Sequence, residues 1–142
     1  LLRASESAHI IAETLHIPLL ALDADLRERG YGIFEGLTRL ECEQQHPELW
    51  SQKTRDRNLE PPGGEPRAEV IARMQRGLGR AVSLMRGRHE NGLIIGHGSS
   101  LRMFLEVLTE GYVESIGNMQ HREVLHDGER FIVVPDAQRR VS

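Results

Sequence analysis

The stretch Gly92–Glu110, "GLIIGHGSSLRMFLEVLTE", decides how this chain reads. Its first part, "GLIIGHG" (Gly92–Gly98), is a short apolar run closed by glycine and histidine, which predicts a strand buried on both faces. "SSLRMFLEVLTE" continues with apolar residues at helical spacing, and Ser99 or Ser100 is available as the N-cap. A strand running into a helix is the building unit of α/β sheets, which bind ligands beyond the carboxyl ends of their strands. His97 stands at that point, and the Gly98 and Ser99 amides at the helix start would face the same spot and favour an anion. On local pattern alone, His97 reads equally as a capping or core histidine at a tight turn.

Working outward, the helix before this unit is the clearest in the chain. From Arg67 to about Arg86, Val70, Ile71, Met74, Leu78, Ala81, Val82 and Met85 share a face, while Arg73, Arg76 and Arg80 read as a solvated row. Gly77 and Gly79 weaken it by about 1 kcal/mol each relative to alanine. "RNLEPPGGEP" (Arg57–Pro66) is a loop, because adjacent prolines and glycines defeat helix and strand. Its "PPGGEP" serves equally as a lid or as the start of the long helix, with Pro66 in the first turn. Thr38 is placed to cap a helix through Glu41 and Glu43 to His46, and Pro47 to start another.

At the chain's start, Ala8, Ile11, Ala12 and Leu15 form an amphipathic stripe, and "IPLLALDADL" follows as a short apolar stretch. At its end, "HREVLHDGERFIVVP" predicts a hairpin turning at Asp127-Gly128. About four strands alternating with helices predict an α/β fold. The length of 142 residues predicts one domain over 1–142.

The net charge of −3 argues against a general nucleic-acid or anionic-membrane binder. The apolar runs are far too short to span a bilayer and nothing resembles a signal peptide, so a soluble domain is expected. Cys42, the single cysteine, precludes an internal disulfide and any cysteine-rich zinc site, and fits a reduced, cytoplasmic setting. His9, Glu13 and His16 share a helical face, but no two-histidine zinc signature surrounds them, and no metal site is expected.

One further segment carries candidate chemistry. "LRERGYGIFEGL" (Leu26–Leu37) sets Glu28 and Glu35 among glycines with Arg27, Arg29 and Tyr31. A carboxyl group there could protonate a leaving oxygen, or the segment could be a surface loop of paired charges.

Taken in order, these pieces resemble the histidine phosphatase superfamily, which includes the cofactor-dependent phosphoglycerate mutases. "LLRASESA" is similar to the family's "S-x-L-x-R-A-x-E-T-A", with Ser7 in place of threonine. "LRERGYGIFEGLT" resembles "L-x-E-x-x-Y/F-G-x-W-E-G", and "PPGGEP" resembles "P-x-G-E-S" with proline at the last position. "LIIGHGSSLR" resembles the strand and turn around the family's second histidine.

The resemblance implies a three-layer α/β/α sandwich of the phosphoglycerate mutase-like type and a pocket for a small phosphorylated substrate, with no cofactor and no metal. It implies phosphoryl transfer through a phosphohistidine. Arg3 would fork onto phosphoryl oxygens and His97 would donate to the same group, while Glu28 would serve as general acid and then base. It prefers Glu28 over Glu35, which falls in the structural "FEG" segment. For a mutase, Arg29, Tyr31 and Arg39 would hold the substrate carboxylate and distal phosphate.

The family's nucleophile lies in an "R-H-G" motif, and no histidine of this chain stands between arginine and glycine. The nucleophile and the N-terminal strands are therefore expected upstream, and this chain alone is expected to be inactive. A non-catalytic phosphate-binding or protein-interaction relative is the alternative. An open sheet edge would be covered by pairing, so a homodimer is one expected assembly. Arg55 and Arg57 do not match the mutases' paired arginines, and Ser99 stands where mutases usually carry asparagine. Both departures favour a phosphomonoesterase over a mutase.

Overall fold

The structure, a computed structural model, describes residues 1–87 and 91–134. The C-terminal "PDAQRRVS" beyond the hairpin lies outside the described residues. Among the described residues five α-helices run in chain order: α1 (Leu2–Leu15), α2 (Arg39–Gln45), α3 (Pro47–Arg55), α4 (Arg67–Met85) and α5 (Gly98–Leu108). A two-stranded antiparallel sheet follows, β1 (Val124–His126) with β2 (Phe131–Val133), in the register Val124–Val133, Leu125–Ile132, His126–Phe131.

The chain forms two compact units, one of Leu1–Glu28 with Ile71 onward and one of Arg29–Val70. In the second, the expected Thr38 cap is present as a full capping box: the Thr38 hydroxyl accepts from the Glu41 amide while the Glu41 carboxylate accepts from the Thr38 amide. Pro47 opens α3, where its missing N–H costs nothing. Phe34 packs edge-on against His46 and Trp50 at 5.9 and 5.4 Å, and with buried Cys42 it makes this unit's small core.

In the first unit, α5 is the most deeply packed element. Met103, Phe104 and Leu105 are buried, and Phe104 meets Phe131 of β2 edge-to-face at 5.8 Å. The tail hairpin is as expected: Asp127 Oδ1 accepts from the Glu129 and Arg130 amides and closes the Asp127–Arg130 turn between the two strands.

Four expectations are corrected. Leu93–Gly96 forms no strand, because none of the described residues pairs with its backbone; it is an unassigned segment, and Leu93 is exposed. Among the described residues the expected count of about four strands falls to two for the same reason, since an apolar run becomes a strand only when a ladder partner is present. Arg73 is not on a solvated row: it is 2% exposed, while Arg76 and Arg80 lie at the surface in ion pairs with Asp23 and Asp25. Finally, α5 starts at Gly98 with His97 in the N-cap position, so neither serine is the cap.

Candidate active site

The site is built where α4, α5 and the segment before Arg29 converge in the first unit. Asp23 starts a single 3-10 turn, Ala24–Leu26, by accepting from the Asp25 amide at 2.9 Å. Leu26 packs against α4 at Gly77, where an added Cβ would lie 2.9 Å from the leucine Cδ2. A helix interior ordinarily disfavours glycine; this one admits the turn.

Three arginines of α4 then tie the segment down. Arg80 forks onto Asp23 at 2.8 and 2.8 Å and reaches Asp25 at 2.6 Å, and Arg76 adds two contacts to Asp25 at 3.3 Å. The guanidinium bonds hold both carboxyls below the usual carboxylate range. These pairs are at the surface, so they fix geometry more than they add stability. Arg73 acts from inside: Nη1 donates to the carbonyls of Asp25 and Arg27, each at 2.8 Å, and Nη2 to that of Glu28 at 3.2 Å.

The segment so held delivers Glu28 to the start of α5. The Glu28 carboxylate accepts from the Ser100 amide at 3.0 Å and from the Ser99 amide at 3.4 Å. An α-helix leaves its first amides without intrahelical partners, and here a carboxylate more than seventy residues upstream caps them, where a serine hydroxyl was expected to. The donor pair sits one residue beyond the Gly98 and Ser99 amides picked out from sequence, and Glu28 is its acceptor. Gly98 has a different role: an added Cβ would lie 2.9 Å from the Ile116 carbonyl oxygen, so the chain can pass there only without a side chain.

His97 is buried, with 6% of its surface exposed, and its backbone is extended as an N-cap requires. Burial is the largest influence on its pKa and pushes it below the ordinary value. Glu28 opposes that shift, while Arg3 and Arg73 reinforce it. The imidazole is thus a neutral donor–acceptor among fixed charges of both signs. Arg3, in the first turn of exposed α1, is near enough for its charge to act on His97.

Four of the residues singled out from sequence are therefore gathered in this unit around one helix end: Glu28 and His97, with Gly98 and Ser99. Arg3 bears on them electrostatically. The others lie in the second unit. Arg29 is 2% exposed and its Nε donates to the Glu65 carbonyl at 2.9 Å. Tyr31 bridges to Gly64 and lies beneath Arg29 and Lys53, at 5.9 and 5.7 Å from the ring centre. Arg39 is the exposed first residue of α2. Glu35, the rival carboxylate, accepts from the Tyr31 amide at 2.8 Å and closes its own turn. Sequence reading placed Arg73 on a solvated row and gave it no part in the site.

The sequence pattern of the histidine phosphatase superfamily (branch 1) matches residues 1–134. Among curated relatives, the bifunctional protein Rv2228c of Mycobacterium tuberculosis strain H37Rv is 33% identical over 105 residues, which is 74% of this chain and 28% of the relative. A 2,3-bisphosphoglycerate-dependent phosphoglycerate mutase of Methylobacterium sp. strain 4-46 is 33% identical over 128 residues, 84% of this chain and 59% of the relative. The chain thus spans less than two thirds of the length of either. Among solved structures, the complex of mycobacterial glucosyl-3-phosphoglycerate phosphatase Rv2419c with inorganic phosphate superposes with a TM-score of 0.73 at 20% identity, covering 94% of this chain and 71% of that one. No helix among the described residues is long and apolar enough to cross a membrane.

Proposed function

From the premise that this chain belongs to the histidine phosphatase superfamily and shares its α/β fold, we propose that the intact protein hydrolyses phosphomonoesters through a phosphohistidine. The nucleophilic histidine would come from outside these 142 residues, since no "R-H-G" occurs among them. The observation that carries this reading is the convergence of Glu28 and His97 at the start of α5.

In the first step the nucleophile's ring nitrogen bonds to phosphorus as the ester P–O bond breaks, and protonated Glu28 gives its proton to the departing oxygen. In the second, Glu28, now a carboxylate, takes a proton from water as the water oxygen attacks phosphorus and the P–N bond breaks. His97 and Arg3 hold the phosphoryl oxygens throughout, supplying the positioning and charge stabilisation on which phosphoryl transfer depends. His97, neutral in the free protein, donates one ring N–H to a phosphoryl oxygen, and a bound dianion would draw a second proton onto the ring.

The intact protein is expected to hydrolyse an aryl phosphate and to carry an acid-labile phosphate on histidine during turnover. Sustained turnover by a mass-verified 142-residue chain would sink the mechanism. A melting temperature raised by vanadate, with neither label nor turnover, would identify a phosphate-binding relative instead. The mutase relative supports a second reading, which would show as phosphoryl transfer to a phosphoglycerate rather than to water.

A further inference from the structure

We propose that Arg73 is a positioning residue for Glu28: it sets where the proton-transferring carboxylate stands without touching the substrate. The proposal rests on the phosphatase reading for what Glu28 does, but its structural content is separate.

Three observations carry it. First, Arg73 is a charged side chain with 2% of its surface exposed, in the middle of a helix whose neighbouring arginines are at the surface. Burying a guanidinium is costly unless its donors are met, so a site that does so has a geometric use for it. Second, those donors meet the main chain. The carbonyls of Asp25, Arg27 and Glu28 receive them at 2.8, 2.8 and 3.2 Å, and these residues are the exit of the 3-10 turn and the catalytic candidate itself. A planar fork can gather three carbonyls from two nitrogens at once, whereas a lysine ammonium is a point charge that would have to choose among them. Third, the Glu28 side chain makes its own bonds to the amides of Ser99 and Ser100. Arg73 thus pins the backbone of Glu28 to α4, and α5 pins its carboxylate, so the residue is fixed at both ends between two helices.

The same guanidinium is one of the positive charges that lower the pKa of His97. Arg73 therefore bears on both members of the candidate pair, on Glu28 through geometry and on His97 through its field.

The test is Arg73→Lys in the intact protein, which keeps the charge and loses the fork. Misplacing a reacting group by about 1 Å costs on the order of a hundredfold. We expect kcat for an aryl phosphate to fall by about that factor with KM changed little, and the pH profile of kcat to change. Arg73→Ala with added guanidinium chloride should recover part of the lost rate, and methylammonium should not. Wild-type kcat and an unmoved pH profile in Arg73→Lys would overturn the proposal. The Ser100 amide provides a readout independent of turnover. Its proton–nitrogen NMR shift should follow the ionisation of Glu28 in the wild type and lose that response in Arg73→Lys. An intact wild type that neither labels nor turns over removes the phosphatase reading alone, and the Ser100 response then decides the Arg73 proposal. An unaltered response in the variant refutes it.

Discussion

Two helices of the same unit contribute to the candidate site, and they are held in opposite ways. Helix α5 buries six of its eleven residues, among them an internal Arg102–Glu106 ion pair at 2.6 Å. Helix α1 buries none of its fourteen; of its apolar stripe, Ala8, Ile11 and Ala12 are only half-buried and Leu15 is exposed. Both helices are amphipathic in sequence. What separates them is whether other elements pack on the apolar face, because most of a helix's stability in a protein comes from tertiary burial and little from propensity. His97 thus belongs to a rigid frame, and Arg3 to a helix whose anchorage among the described residues is slight.

The largest expected effect of this contrast is on stability. Met103 of α5 is fully buried, and truncating a buried methionine to alanine costs about 2–5 kcal/mol in lost contacts and residual cavity. Ile10 of α1 is 63% exposed, and exposed substitutions stay within about 0.5 kcal/mol. Denaturant unfolding of Met103→Ala and Ile10→Ala measures both. Equal losses would show that α1 is packed as firmly as α5 and would dissolve the contrast.

The next effect is on phosphoryl transfer. Removing a preorganised donor to developing charge costs about a hundredfold in kcat, and His97→Ala should lose that much in the intact protein. Arg3 makes its contribution from an exposed position and must surrender about 2 kcal/mol of side-chain freedom when it engages an anion. We therefore expect Arg3→Ala to cost roughly tenfold less than His97→Ala. Parallel kinetics with an aryl phosphate check the ratio. Equal losses would mean that the loose packing of α1 does not carry into function.

What the sequence disclosed divides along the same line between local and long-range causes. The Thr38–Glu41 capping box, the Pro47 helix start and the Asp127 turn were legible because each is made by residues a few positions apart. The strand expected in Gly92–Gly98 does not form among the described residues, since periodicity sees an apolar run and cannot see whether a pairing partner is there. Arg73 is the sharpest case. It and Arg80 are two helical turns apart on nearly the same side of α4, about 10 Å along the axis, so no helical wheel separates them. One is buried and the other exposed because the 25–28 backbone covers one turn, and Asp23 and Asp25 meet the other at its edge. That outcome depends on residues 45 to 57 positions away. Glu28 and Glu35 were likewise indistinguishable by spacing, and family resemblance separated them. In the structure Glu35 bonds four residues back, whereas Glu28 reaches α5.

The smallest effect tests whether the two helices act on each other through charge. His97 has its pKa below the ordinary value, chiefly through burial, with Arg3 and Arg73 adding to the shift and Glu28 opposing it. As pH falls, the unfolded chain takes up a proton at this histidine before the folded chain does. The linked stability is therefore complete above the ordinary histidine pKa of about 6.5 and drains away as pH drops toward the depressed native value. Melting temperature between pH 7.5 and 5 should fall more steeply for the wild type than for His97→Gln, and matching slopes would rule this linkage out. Arg3→Gln isolates the part that comes from α1. It removes one of the charges that lower the pKa while leaving the burial of His97 in place, so the imidazole titration followed by NMR should move toward the ordinary value. The shift must be upward, because Glu28 is then opposed by fewer cations. An unchanged midpoint would mean that Arg3 does not stand over the start of α5, and the two helices would then be neighbours in sequence pattern only.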